Sequence, residues 1–446
     1  MTNHPEREMS LEFDDIQFPS LIPNTLSVGR LIWLTIKQPD EGRSWLAALA
    51  KHVTSAESAK TKGADQDFRL CVAFTWNGLK AMGVEKDALD TFPEDYREGM
   101  PARADILGDT GPNSPEKWVG GLSSPDLHAM VFFYAHDKEI RDKWHNEHMS
   151  KLKQDGGISI LSWLDWAALD PSLPREHFGY RDRISMAQVQ GAGVEPTPGT
   201  MLLKPGEFIL GYESELGIVE SLPKPEILSR NGSYVVYRRN RQHVSAFRAF
   251  LREHGGPTHE EQELMAAKLM GRWRSGAPLV LAPEKDDPEL ANDPQRNNNF
   301  NYKRMDPYGY ACPVSAHIRT VNPRDTVPDP RRRMMRRFGF TYGPALPENS
   351  PEDGTDRGMA SLFVCASIKR QFEFIQQEWI QNPTFQEQMN ERDPIAGSHD
   401  GTYDFTIPKK PLAKKIRGLP SFTTVMGGGY FLMPGIKALR FLAGLL

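Results

Sequence analysis

Two stretches of this 446-residue chain repeat one order, an apolar strand followed by a helix, and that repetition constrains the fold more than any other feature. Residues 30–36 (RLIWLTI) are rich in the β-branched and aromatic side chains that suit a pleated surface. The turn-like QPDEG then leads into residues 43–52 (RSWLAALAKH), with helical apolar spacing. Residues 233–237 (SYVVY) lead likewise into residues 242–253, where Val244, Phe247, Phe250 and Leu251 recur at steps of three and four. Each half holds a second such unit. Residues 69–74 (RLCVAF) precede a helix over 76–82, and residues 361–366 (SLFVCA) precede one over 368–379. Residues 128–135 (HAMVFFYA) add a strand to the first half.

Four strand–helix units in two pairs predict an α+β fold built twice, as two ferredoxin-like domains, each an antiparallel sheet covered by helices. The division is expected at residues 195/196, giving domains 1–195 and 196–446, because Pro196, Pro198 and Pro205 discourage regular structure between residues 192 and 206. With 37 glycines and 35 prolines the chain needs long shaped loops, one of them over residues 286–299.

The charge balance, 54 basic against 58 acidic side chains, lacks the basic excess of a nucleic-acid binder. Cys71, Cys312 and Cys365 are too few and too scattered for a disulfide framework or a thiolate cage, which favours a reducing, cytoplasmic setting. Residues 1–15 have no apolar stretch behind a basic start, so no export signal is expected. The most membrane-like segment, residues 431–446, is interrupted by Pro434, Lys437 and Arg440 and is expected to be a docked helix rather than a membrane span.

Several signatures are absent. Gly191-Ala-Gly193 lacks the third glycine of a dinucleotide loop, no GxxxxGK[ST] occurs, and Gly427-Gly428-Gly429 has no phosphate-loop context. His145 and His148 sit three apart without a completing carboxylate, and a solvated helix face is the simpler reading. His317, in ACPVSAHIRTVNPR, reads first as a buried histidine bonded to backbone; the alternative is an axial ligand to haem iron, with Arg319 and Arg324 near enough in sequence to meet anionic propionates. Asp182, between two arginines in HFGYRDRIS, suits a surface salt bridge, and residues 331–337 (RRRMMRR) suit a solvated face.

Taken together, GMPARADILGD, GEFILGY, NGSYVVYRRNRQ, AAKLMGRWRSGAPL, HIRTVNPR, SIKRQFEFIQQEW and DPIAG stand in one order over almost the whole chain. In this they resemble the dye-decolourising peroxidases, in their longer subtype. The resemblance implies two ferredoxin-like domains of the dimeric α/β barrel-like superfamily and one haem b per chain. The implied activity is reduction of hydrogen peroxide, with oxidation of dye-like or phenolic donors through an oxoferryl state. Implied partners are peroxide and small aromatic reductants, with self-association left open.

By the same resemblance His317 is the iron's proximal ligand and Asp393 its hydrogen-bond acceptor. Asp182 is the acid–base residue of a GxxDG motif begun by Gly179, Arg337 the distal arginine, and Arg324, Arg319, Gly179 and Arg183 cofactor contacts. Trp379 and Tyr342 are candidates to relay electrons, although core packing is the simpler role for both. The motif's last glycine is Arg183 here, which would bend the loop, crowd the iron or pair with Asp182. Met186, Ala187 and Phe18 are further departures. Arg183 therefore motivates a second expectation, a haem storage, delivery or sensor protein with an impaired distal side. A third is a scaffold that binds no haem.

Overall fold

A computed structural model describes residues 10–62, 67–149, 152 and 156–446; the expectation of no export signal thus rests partly on residues 1–9, which lie outside the described residues. Eight strands make the main sheet: β1 (Val28–Ile36), β2 (Phe68–Phe74), β3 (Ala129–Ala135), β4 (Ile158–Ala167), β5 (Ser233–Gln242), β6 (Arg336–Tyr342), β7 (Gly358–Cys365) and β8 (Thr423–Met433). Their spatial order is β4-β1-β3-β2-β8-β5-β7-β6, antiparallel throughout. Each run of four follows the same pattern, fourth-first-third-second, so the duplication read from the strand–helix grammar is a duplication of topology. A single register pair, Leu432 with Phe74, joins the halves.

The sheet curls, because rings from strands that are not neighbours meet inside it. Trp33 of β1 lies 5.2 Å from Tyr237 of β5, and Tyr134 of β3 lies 5.6 Å from Phe340 of β6. At the open seam between β4 and β6, Trp166 packs on Phe340 at 4.8 Å and the Thr341 hydroxyl donates to the Ala167 carbonyl at 2.6 Å. β1 is buried from end to end, as its uninterrupted apolar run requires of a strand covered on both faces.

Helices α1 (Pro39–Ala50), α2 (Trp76–Ala81) and α3 (Lys138–His148) accompany the first half. The second half carries α4 (Val244–His254), α5 (His259–Met270), α6 (His317–Val321), α7 (Ile368–Glu373 and Ile375–Ile380, wound in wide π-type turns) and α8 (Ile436–Leu442). Thr258 caps α5, accepting from the Glu261 amide while the Glu261 carboxylate accepts from the Thr258 amide. From α5 the Lys268 ammonium reaches the Tyr310 and Ala311 carbonyls and so anchors the segment leading to His317.

Three local readings change. Residues 431–433 complete β8, and only 436–442 form the docked helix, since a strand in a paired sheet uses its apolar residues more fully than a surface helix does. Residues 288–292 form a short helix inside the loop expected over 286–299. His145 and His148 are half-buried, and His148 packs on the Trp144 ring at 4.7 Å, because α3 lies on the sheet rather than in solvent. No helix among the described residues is long and apolar enough to cross a membrane.

Phe340 is 2% exposed and contacts rings on β3 and β4. Phe340→Ala should therefore destabilise the chain by about 3–5 kcal/mol, measured by denaturant unfolding; a loss below about 1 kcal/mol would mean that the seam does not carry the closure.

Candidate active site

His317 opens α6, a single turn that Pro323 closes soon after. Its Nδ1 lies 2.8 and 3.0 Å from the two carboxylate oxygens of Asp393. That carboxylate is buried and held from the other side as well. It is 1% exposed, and its Oδ1 also accepts from the Ile395 and Ala396 amides at 2.9 and 2.8 Å. Burial pushes the Asp393 carboxyl up, but the charge and hydrogen bond of His317, with the two amides, outweigh burial and hold it below the usual range. With Nδ1 engaged by Asp393, Nε2 is the ring nitrogen left for another partner, and His317 lines a cavity of about 400 Å³.

Asp182 reaches the same cavity from a closed loop. The Asp182 amide donates to the Pro174 carbonyl at 2.9 Å, and the Arg175 guanidinium donates to the Gly179 carbonyl at 2.6 Å. The buried Glu176 carboxylate accepts from the Phe178 and Tyr180 amides, both at 2.8 Å, and from the Gln242 side chain. Burial raises the Glu176 carboxyl above its ordinary range. Nothing in the sequence marked Glu176 as the residue that fixes the loop; only its two amide bonds reveal it.

The Asp182 carboxylate is ion-paired with the Arg337 guanidinium from β6. The run 331–337 is therefore not a solvated face, because strand alternation turns Arg337 to the cavity, on the face opposite Phe340. Gly339, two residues on, shares that side, and a Cβ there would stand 2.6 Å from Asp182 Oδ2.

Arg183 holds φ +63°, a conformation that glycine adopts freely and other residues only at a cost. The loop thus keeps the backbone a glycine would give, and arginine takes the strain. It does not pair with Asp182, whose partner is Arg337; its guanidinium faces the Gly339 carbonyl at 3.5 Å and lines the cavity. Gly179 is absent from the lining. At φ +95° it shapes the turn, and a Cβ there would lie 2.9 Å from Arg274 Nη1.

The remaining wall is largely apolar, with Met270, Ile318, Val321, Met334, Ile375 and Ile380, and one part of it carries Arg272 and Arg324. Arg272 donates to the Gly276 and Asn297 carbonyls, both at 2.8 Å; Arg324 donates to the Phe300 carbonyl at 2.7 Å and stacks 3.8 Å from the Phe300 ring. Burial and then the Arg324 charge push Arg272 down to about 10. Neither has an ion-paired carboxylate among the described residues, so an anion suits the pair. Arg272, within the GRWRSG stretch, was legible as motif but not as a site residue.

Arg319 is corrected. It is 1% exposed and points away from the cavity, clamping the Asp306 and Cys312 carbonyls at 3.0 Å each. Residues two apart on a helix lie about 200° apart, so 317 and 319 cannot serve one pocket. Trp379 and Tyr342 are buried core residues, 4% and 3% exposed.

The donor set fits a haem: an imidazole lining a largely apolar cavity with a carboxylate behind it, and one buried and one half-buried cation, Arg272 and Arg324, without ion-paired acids among the described residues. Among the described residues no group of three or more His, Cys, Asp or Glu is placed to hold a free metal ion.

Replacing Arg183 by glycine would release about 1–2 kcal/mol of left-handed strain and add about 0.4–1 kcal/mol of unfolded-chain entropy. Arg183→Gly should therefore stabilise the fold by about 0.5–1 kcal/mol in urea titrations. A destabilised variant would show that the side chain's contacts outweigh the backbone cost.

Residues 26–161 match the family model of the DyP dimeric alpha+beta barrel domain. The chain is 31% identical to Peroxidase 2 of Mycetinis scorodonius over 97% of its own length and 88% of that protein's. It is 29% identical to the dye-decolorizing peroxidase of Exidia glandulosa over 96% and 87%. A crystal structure of a fungal DyP-type peroxidase from Auricularia auricula-judae superposes with a TM-score of 0.86 at 26% identity, covering 98% of this chain and all of that one. An ancestral D-type dye-decolorizing peroxidase superposes with 0.85 at 28%, covering 97% and 99%. With this extent of sequence and structural agreement, the chain belongs to the dye-decolourising peroxidase family.

Proposed function

We infer that the chain is a haem-dependent peroxidase that reduces hydrogen peroxide and oxidises dye-like or phenolic donors. The observation that carries the reading is the Asp182–Arg337 pair in the cavity that His317 lines. The group proposed is one haem b per chain, which His317 would hold through its ring with Asp393 accepting from Nδ1, and to whose carboxylates Arg272 and Arg324 would offer positive charge.

Haem, when bound, supplies the redox chemistry, taking two oxidising equivalents from peroxide and passing them to donors. The protein's part is proton transfer and charge. Asp182 takes the proton from one peroxide oxygen and returns it to the other, which leaves as water. Arg337 keeps that carboxylate aimed and places fixed positive charge beside the oxygen that gains electrons. Because Asp393 accepts the Nδ1 proton, His317 offers its ligand a more basic Nε2. Buried Glu176 holds the loop so that none of this requires rearrangement.

Arg183 leaves the Asp182–Arg337 pair intact, which favours the peroxidase over storage, delivery or sensing. The halves are proposed to divide at 195/196, within the connection between β4 and β5. Three free, buried cysteines support the cytoplasm as the working compartment.

Asp182→Asn should lower kcat for peroxide-driven dye oxidation by about 10²–10⁴-fold while the Soret band persists. A loss below tenfold would remove Asp182 from the proton path. His317→Ala should abolish the axial-imidazole spectrum and its activity together, and an unchanged ferric spectrum in that variant would assign the ligand elsewhere.

A further inference from the structure

Beside the main cavity lies a second, smaller chamber of about 150 Å³, sharing Arg183, Met186 and Arg337 as a common wall. At about 30 Å³ per water it has room for roughly five waters, or one small ring-bearing molecule. Leu21, Pro23, Val189, Ala192, Val194 and Phe338 give it apolar sides. Its polar groups are mostly cationic. Arg336 is 3% exposed and donates to the Pro19, Ala187 and Leu21 carbonyls at 3.3, 2.9 and 3.2 Å. Those three bonds leave two of the five guanidinium N–H groups without a partner among the described residues.

No carboxylate is ion-paired with Arg336 or Arg183 among the described residues, and burial pushes Arg336 down to about 10 with no opposing charge to restore it. A buried cation without a counter-ion is costly unless something anionic joins it. Gln188, also in the wall, holds a buried side-chain oxygen without a partner. Asp182 does not neutralise this side, because it is paired with Arg337 in the neighbouring cavity.

We propose that this chamber is a binding site for a small aromatic monocarboxylate. Its carboxylate meets Arg336 and Arg183, and its ring lies among Leu21, Val189, Val194 and Phe338. Cationic and apolar walls together select that class: an inorganic anion would leave the apolar sides unsatisfied, and a neutral ring would leave the guanidiniums unpaired. The shared wall makes Arg183 a specificity-determining residue of this second site. That explains what an arginine does at a backbone position made for glycine. The inference concerns binding alone and does not depend on the peroxide chemistry.

The test is titration of the holoenzyme with 4-fluorobenzoate, followed by fluorine NMR line width and by the Soret band. Saturable binding of one equivalent per chain is expected, with the Soret band unmoved and no comparable binding of 4-fluorobenzyl alcohol. Arg183→Gln should weaken binding about tenfold or more, as loss of one charge-assisted hydrogen bond does. Val194→Trp, which fills the mouth, should abolish it. Arg336 is left intact because it holds three backbone carbonyls. No saturable binding at millimolar ligand, equal binding of the alcohol, unchanged affinity in either variant, or a Soret shift that tracks occupancy would each overturn the proposal.

Discussion

The site depends on one ion pair, Asp182 with Arg337, which ties a loop that follows β4 to the edge strand β6. Several features exist to permit it. Gly339 leaves space for the carboxylate, since a side chain there would collide with Asp182. Glu176 locks the loop through the Phe178 and Tyr180 amides, and the Asp182 amide is tied to Pro174. The seam where Trp166 and Thr341 bring β4 and β6 together sets the distance the pair must span. An edge strand of an open sheet would not present Arg337 at a fixed height above a loop from the other half of the chain.

Formal net charge is −4, yet the cavity and its side chamber concentrate cations: Arg183, Arg272, Arg324, Arg336 and Arg337. Of these only Arg337 is ion-paired with an acid among the described residues. Backbone carbonyls hold Arg272, Arg324 and Arg336 instead, leaving their charge available to a ligand. Burying Arg272 and Arg336 without an acid is costly to the folded chain, and a bound anion offsets that cost.

Strands with continuous apolar runs, β1, β2, β3 and β7, were legible because burial on both faces writes one signal along the segment, whereas β5 was legible only over residues 233–237, since 238–242 (RRNRQ) are polar. The rest were not, for reasons visible in their residues. β4 (ISILSWLDWA) mixes exposed and buried positions. β6 hides behind arginines, because periodicity does not distinguish a charged side chain aimed at a buried acid from one aimed at water. β8 contains Gly427-Gly428-Gly429, which weakens any strand reading; a Cβ at Gly428 would stand 2.2 Å from Met100 Sδ, so the glycines serve close packing. His317, Asp393, Asp182 and Arg337 were legible only through motif order, since 135 residues separate Asp182 from His317 and no local pattern joins them. Arg319 shows the limit of proximity along the chain: two residues from His317, it faces the other way.

Arg183 shows how a departure from motif can leave geometry intact. A left-handed φ for arginine costs about 1–2 kcal/mol, and a loop free to relax would recover it by shifting, carrying Asp182 out of line. This loop is over-determined: the Glu176 carboxylate, the Arg175 side chain on Gly179, the Asp182 amide on Pro174 and the Arg337 ion pair all resist the shift. Moving the loop to relieve one backbone angle would break several bonds, each contributing roughly 0.5–1.5 kcal/mol, so the strain stays local. The surrounding hydrogen bonds therefore set the backbone at position 183, and the residue there is free to be selected for what its side chain reaches.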